Sequence, residues 1–257
     1  MKFIFGPIRS KRLGNSLGID IVPFGTCTLD CIYCQVHKTR IKTITRNSFF
    51  ELEQLNEELD LVLKKNDNLD YVTFSGSGEP TLNRDIGKII SMIKNKTNTP
   101  IAVITNGSLL HFDEVLEDLK EVDLIMPSLD APSEDLFKRI NRPHIDLDLK
   151  KLIRGLDLLG KSFTGNIFLE IMLLKEINDF EFCLSEFSKI LSRLKFDKLF
   201  LNTVVRPPLE TNICKSLTKG ELKRITKYFK PLGIPIVVAN PSKIQKRTMF
   251  AARDSKI

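Results

Sequence analysis

A chain of 257 residues, 42% hydrophobic and 28% charged, is long enough for one large α/β domain or two small ones and has an ordinary globular composition. No apolar run approaches the ~18 residues of a membrane span, and Gly6-Pro7 interrupts the N-terminus too early for a signal-peptide core, so a cytoplasmic protein without membrane association is expected. Five cysteines, three of them within eight residues, argue against a secreted disulfide framework. The net charge of +7 permits an RNA or phosphorylated partner without requiring one, and three Tyr with no Trp offer no evident stacking platform for single strands.

Short apolar runs alternate with helical patterns along the whole chain. The first strand is expected at Leu17–Val22. Ser48 and Glu51 have capping-box spacing ahead of a helix that carries Leu52, Leu55, Leu59 and Val62. A strand at Asp70–Phe74 follows, then a helix capped by Asn83 with Ile86, Ile89, Ile90 and Ile93 in a stripe. Ile101–Thr105 is the third strand, Phe112–Leu119 the third helix and Asp123–Pro127 the fourth strand. A helix with Leu149, Leu152, Ile153, Leu156 and Leu159 closes at Gly160. The strand Ile167–Leu173 leads to a helix with Phe180, Cys183, Phe187, Ile190, Leu191 and Leu194. Lys198–Val205, a helix capped at Thr218 and Glu221, and Ile234–Val238 complete the series. Such repeated βα units build either an open doubly wound sheet or a full or partial barrel, with ligands at the carboxyl ends of the strands. The basic tail from Lys243 to Ile257 is expected to be a solvated face.

Unusual residues crowd those strand ends. Cys27, Cys31 and Cys34, spaced C-x3-C-x2-C, follow the first strand directly. Three thiolates on one loop can hold three corners of a cubane cluster and leave the fourth iron open. A zinc site completed by His37, or three cysteines without a shared role, are the alternatives. Ser75-Gly76-Ser77-Gly78-Glu79-Pro80 is a Gly-rich turn that lets backbone approach a ligand. Asn106 ends the third strand. Ser128 and Asp130 share one side of the chain after the fourth, with helix capping as the plain alternative for Asp130. Glu170 lies inside an apolar strand, so it must face a polar cavity or meet a cation. Arg206 could bind a carboxylate or phosphate bidentately. Arg139, Arg142 and His144, with Arg9, Lys11 and Arg12, could form a cationic rim. Cys183 reads as a small core residue and Cys214 as a loop residue; two spare cysteines cannot ligate a second cubane.

The triplet, with Tyr33 before its last cysteine, resembles the radical S-adenosylmethionine (SAM) superfamily, and the resemblance extends from about Phe5 to residue 240. It implies a partial (β/α)6-type barrel over residues 1–240 with an N-terminal extension, followed by a short basic tail at 241–257. It further implies a [4Fe–4S] cluster on Cys27, Cys31 and Cys34, with SAM on the open iron. Tyr33 would pack against adenine. Gly76, Ser77, Gly78 and Glu79 match the GGEP motif, with Ser77 in place of a glycine, and would meet the methionine amino group. Asn106 would line the SAM cavity; Ser128, Asp130 and Glu170 would serve its ribose, carboxylate or hydroxyls. Arg142 and Arg206 are the candidate substrate residues. The implied chemistry is reductive cleavage of SAM to a 5′-deoxyadenosyl radical that abstracts hydrogen from a small molecule or tRNA base. A low-potential flavodoxin or ferredoxin would be the electron donor. An activase acting on a partner protein's glycine and a non-enzymatic metal-binding module are the rivals. Phe5-Gly6-Pro7, Arg12-Leu13-Gly14, the triplet, Ser75 to Pro80, Ser128 to Ala131 and Asn141-Arg142-Pro143 are similar to the group related to archaeal wyosine-base enzymes. Those tRNA enzymes carry further cysteines upstream of the triplet, and this chain has none before Cys27.

Overall fold

The computed structural model describes residues 1–10, 12–66, 68–205, 207–208 and 210–239; Arg206 and the basic tail lie outside them. The strands are β1 (Ile4–Ser10), β2 (Gly14–Ile19), β3 (Thr26–Cys27), β4 (Ile41–Lys42), β5 (Tyr71–Phe74), β6 (Ile101–Thr105), β7 (Leu124–Pro127), β8 (Asn166–Leu173), β9 (Lys198–Thr203) and β10 (Ile236–Val238). The helices are α1 (Leu52–Leu63), α2 (Ile86–Lys94), α3 (Asp113–Asp118), α4 (Glu134–Asn141), α5 (Leu149–Ser162), α6 (Glu181–Leu191) and α7 (Lys219–Ile225). One sheet runs β1-β2-β5-β6-β7-β8-β9-β10. Every neighbour pair in it is parallel except β1 and β2. β1, which the alternation of apolar runs did not announce, is therefore an antiparallel edge added to a βα series.

The sheet is curled. Four strand spacings separate β2 from β8, about 19 Å across a flat sheet. Yet Arg12, two residues before β2, places Nη1 2.7 Å from Glu170 Oε2 on β8. Alternation of side chains along each strand then yields two cores. Outward residues such as Leu17, Ile19, Val72, Phe74 and Val103 pack with the helix stripes of Leu55, Ile86 and Leu156 in the main core. Inward residues Ala102, Leu124, Met126 and Phe200 form a separate cluster that Leu13, from the β1–β2 turn, plugs from the amino ends of the strands. With the carboxyl ends of its parallel strands on one rim and edges at β1 and β10, the sheet is a partial α/β barrel.

Several helix ends depart from the reading above, each because a tertiary partner competes. The Ser48–Glu51 box does not form: α1 starts at Leu52 without a side-chain cap, and Ser48 donates its hydroxyl to Asp85 instead. Asn83 lies two residues ahead of the α2 N-cap, Asp85, whose N–H it accepts at 2.9 Å. Gly160 does not end its helix; α5 continues to Ser162. A Cβ there would stand 2.7 Å from the Lys195 carbonyl oxygen, so the glycine serves a close approach of chains. α4 was not foreseen. It is capped by Ser133, which accepts from Leu136 N, so Asp130 is not its cap. The Thr218–Glu221 box on α7 forms in both directions. Thr218→Ala should therefore cost about 1 kcal/mol, read as a melting temperature lower by roughly 2–4 °C.

Candidate functional site

The cysteine loop, residues 25–34, leaves β2 at the carboxyl rim and is tied to three other elements. Gly25 N donates to Ser77 O (3.1 Å) and Glu79 N to Thr26 O (3.2 Å), which joins the loop to the turn after β5. Thr28 and Ser108 share a hydroxyl contact of 2.7 Å, which joins it to the turn after β6. Asp30 N donates to Asn141 O and Ile32 N to Ile140 O, both 2.9 Å. The last carbonyls of a helix have no partner within it, so α4 supplies acceptors on both sides of Cys31. Arg142, left-handed at φ 45°, ends α4 immediately after Asn141.

The turn after β5 is shaped by contact. A Cβ on Gly78 would lie 1.8 Å from Thr26 O, and one on Gly76 2.4 Å from the Asp20 carboxyl carbon. Ser77 donates its N–H and its hydroxyl to Asp20 Oδ2 at 3.1 and 2.5 Å. Glu79 points inward and is buried. Its Oε1 accepts from Thr81 N (3.1 Å), Thr81 Oγ1 (2.7 Å) and Thr105 Oγ1 (2.6 Å), and its Oε2 from Asn106 N (2.8 Å). Burial pushes this carboxyl upward in pKa, against the pull of those hydrogen bonds. Glu79 thus clamps the β5 and β6 turns together. Glu79→Ala should leave four buried donors unmatched and lower stability by roughly 2–4 kcal/mol in chemical denaturation. A variant with wild-type stability and weakened ligand binding would instead place the carboxylate at a ligand.

Two asparagines face the sulfurs. Asn106 Nδ2 approaches Cys27 Sγ at 3.5 Å and Thr28 Oγ1 at 2.8 Å; Asn141 Nδ2 approaches Cys31 Sγ at 3.4 Å and Asp130 Oδ2 at 3.0 Å. Tyr33 donates its hydroxyl to the same Asp130 oxygen, while Asp130 Oδ1 accepts from Met172 N on β8 at 2.9 Å. Burial raises the Asp130 carboxyl to about 6 and pushes the Tyr33 hydroxyl well up, with Asp130 adding to it. Burial, then Glu79, pushes the Cys27 thiol up to about 12; burial, then Asp130, pushes the Cys31 thiol well above its ordinary value.

Ser128 lies beside Glu170 in a parallel bridge. Glu170 meets a cation, Arg12, one of the two settings its place in an apolar strand allowed; the side chains are 11% and 34% exposed. Arg142 is paired through both its terminal nitrogens with Glu210, Nη2 at 2.8 Å from Oε2, and Lys42 donates to its carbonyl at 3.0 Å. His144 N donates to Thr28 O at 2.9 Å, so this segment braces the cysteine loop. Cys183 is buried on α6, and Cys214 is buried too.

The donor set fits an iron–sulfur cluster better than a single ion. Neutral thiols are what a buried loop favours until positive charge replaces their protons. N–H groups aimed at two sulfurs suit sulfur that carries negative charge. Among the described residues no three His, Cys, Asp or Glu side chains converge where one ion could sit. Both ring nitrogens of His37 already stand 2.8 Å from carbonyl oxygens, those of Lys38 and Ser77, so His37 does not complete a Cys3His zinc site. Buried side-chain oxygens of Thr26 and Asn141 lack a hydrogen-bond partner among the described residues, as expected where a ligand is to be received.

Residues 21–183 match the family description "Radical SAM superfamily". The chain belongs to the radical SAM superfamily. Enzymes of this superfamily use a [4Fe–4S] cluster and SAM, and this radical SAM chain has the mixed α/β partial barrel of its relatives. It is 38% identical over 215 residues to "UPF0026 protein MJ1312" of Methanocaldococcus jannaschii, a match over 83% of this chain and 67% of that protein. It is 42% identical over 228 residues to a Brachyspira hyodysenteriae protein named "GTPase Obg", but that match covers 89% of this chain and only 33% of the relative's length. Among solved structures, TYW1 with a lysine-pyruvate adduct bound has a TM-score of 0.64 at 19% identity, covering 84% of this chain and 73% of that one. That likeness is one of fold. No helix among the described residues is long and apolar enough to cross a membrane.

Asn141, Thr28, Thr81 and Thr105 are the site-building residues that motif reading did not assign. Asn141 did carry a signal, the Asn-Arg-Pro triplet shared with the wyosine-related group. Thr81 follows the Gly-rich turn and carries none; Thr105 opens the Thr-Asn-Gly segment from which only Asn106 was assigned, since a hydroxyl that serves a buried carboxylate leaves no pattern in one sequence.

Proposed function

We propose that Cys27, Cys31 and Cys34 ligate the [4Fe–4S] cluster, that SAM lies across the carboxyl rim of the barrel, and that the substrate enters the lumen beneath it. Held by these three cysteines, the cluster would supply the electron for reductive cleavage of SAM, and cleaved SAM would supply the group that takes a hydrogen atom from the substrate. The rest is the work of this chain. The turn at Gly76, Ser77 and Gly78 brings backbone to the methionine end. Asn106, Ser128, Asp130 and Tyr33 line the remainder of the SAM site. Leu13 and the apolar layer of Ala102, Leu124, Met126 and Phe200 close the amino end of the lumen and keep water from that side. The Arg12–Glu170 pair stands in the lumen wall and gives it polar character, so the substrate is a small polar molecule.

The carrying observation is the cysteine loop, with three thiols on one turn and amide donors to two of them. A flavodoxin or ferredoxin is the expected electron source. Anaerobic reconstitution with iron and sulfide should give roughly four irons per chain and release 5′-deoxyadenosine on reduction with SAM. To find the substrate class, the reaction should be run with small-molecule and tRNA fractions from cells grown in deuterated medium. Deuterium in 5′-deoxyadenosine from the small-molecule fraction alone supports this reading. Deuterium from the tRNA fraction alone moves the substrate to a base of RNA, a reading the net charge of +7 permits. Zinc in the isolated protein and no 5′-deoxyadenosine would overturn the enzyme mechanism itself.

A further inference from the structure

Asn106 and Asn141 approach the cysteine loop from two sides, yet their amides are spent differently. Asn106 is complete: its Nδ2 serves Cys27 and Thr28, and its Oδ1 accepts from Ser108 N at 3.0 Å. Asn141 is half used. Its two N–H bonds have one acceptor each, Cys31 Sγ at 3.4 Å and Asp130 Oδ2 at 3.0 Å. Its Oδ1 is buried without a partner among the described residues, in a side chain whose residue is 2% exposed.

The amide orientation follows from its neighbours. Turning it over would set the carbonyl oxygen against the Asp130 carboxylate, an acceptor, so the nitrogen must face it. The unmatched atom is therefore an acceptor. Buried polar atoms are paired in more than about nine cases in ten, and an unpaired one carries a penalty that a ligand donor would remove. The backbone is equally fixed: Asn141 O and Ile140 O hold Asp30 N and Ile32 N, so this side chain cannot move away without displacing the loop around Cys31.

We propose that Asn141 is a positioning residue that bridges the two cofactors: its Nδ2 donates to Cys31 Sγ of the cluster while its Oδ1 accepts an N–H or O–H of bound SAM. The inference rests on the cluster-and-SAM reading above and goes beyond it in giving one side chain a role on each. An N–H···S bond stabilises the reduced, more negative cluster, so it raises the reduction potential. The same amide, oriented by SAM, would couple occupancy of the SAM site to that potential.

The test uses the reconstituted full chain and two variants, Asn141→Leu, of near-equal volume, and Asn141→Ser. Iron content, the midpoint potential from an EPR-monitored titration and SAM dissociation constants are measured for each. Asn141→Leu should keep its iron, shift the potential to more negative values and bind SAM on the order of tenfold more weakly. Methylthioadenosine, which lacks the amino-acid part, distinguishes the donor. If it also loses affinity in the variant, the donor is on the nucleoside; if only SAM does, the donor is on the amino-acid part. Both outcomes support the proposal. Unchanged potential and unchanged SAM affinity in Asn141→Leu would overturn it. So would loss of iron in both variants, which would make Asn141 a support of the loop alone. A wild-type chain that takes up no cluster would instead sink the reading on which the proposal rests.

Discussion

Cys34→Ala should lose the cluster and all SAM cleavage while keeping the fold. Iron should fall from roughly four per chain to below about one, the iron–sulfur absorption should vanish, and 5′-deoxyadenosine should drop to background. Cys34 is held through its backbone, Cys34 N donating to Cys31 O at 3.0 Å. Alanine keeps that bond, so the circular dichroism spectrum of the metal-free variant should match that of the metal-free parent. Cys183→Ala is the control. Its sulfur is packed on α6 away from the loop, and the variant should keep both its iron and its activity, at a stability cost of about 1–2 kcal/mol. Retention of a full cluster by Cys34→Ala, or its loss in Cys183→Ala, would refute the ligand assignment.

Gly78→Ala should be the most damaging single methyl group in the chain. The added carbon would stand 1.8 Å from Thr26 O and 2.9 Å from the Thr26 carbonyl carbon, and neither is a flexible side-chain end. Either the turn after β5 or the strand leading into Cys27 must move. That shift would break the Glu79 N to Thr26 O bond and tilt the cysteine loop. Overpacking of this kind costs about 1–3 kcal/mol and more where backbone must yield, so melting should fall by roughly 6 °C or more. Iron retention should fall with it. Gly220→Ala supplies the comparison: it lies in the first turn of α7, with its nearest atom Thr218 Oγ1 at 3.9 Å. There the methyl group should be neutral or stabilising by about 0.5–1 kcal/mol. If both alanines behave alike, the close approach at Gly78 is not what holds the loop.

The parallel βα series was legible in the sequence because parallel strands buried on both faces read as unbroken apolar runs; the rhythm fits an open sheet equally well, and the partial barrel was implied only by the family resemblance. Ile101–Thr105 matches its expected bounds, and Leu124–Pro127 lies within Asp123–Pro127. β1 was not legible. Its Ile-Phe-Gly-Pro-Ile-Arg-Ser has neither an apolar run nor strict alternation, and it becomes a strand by pairing with β2 across a register irregularity. α4 was hidden for a similar reason: its outer face is polar and basic, and Phe137 and Ile140 are its only fully buried apolar side chains.

The site divides along the same line. Chemistry carried by residue type and local spacing was determined by the sequence: three sulfurs on one loop, glycines where backbone must come close, a carboxylate in an apolar strand that had to face a polar cavity or meet a cation. That it meets a cation, and which one, was decided only by the tertiary structure. Arg12 lies 158 positions from Glu170, and curling of the sheet is what joins them. Glu79 turned inward because Thr81, Thr105 and Asn106 together offer more donors than solvent at a buried turn. Asn141 acquired its place beside Cys31 because the last carbonyls of α4 needed N–H partners and the cysteine loop had them to give. Hydrogen bonds between distant segments depend on where chains meet, and that is set by the packing of whole layers.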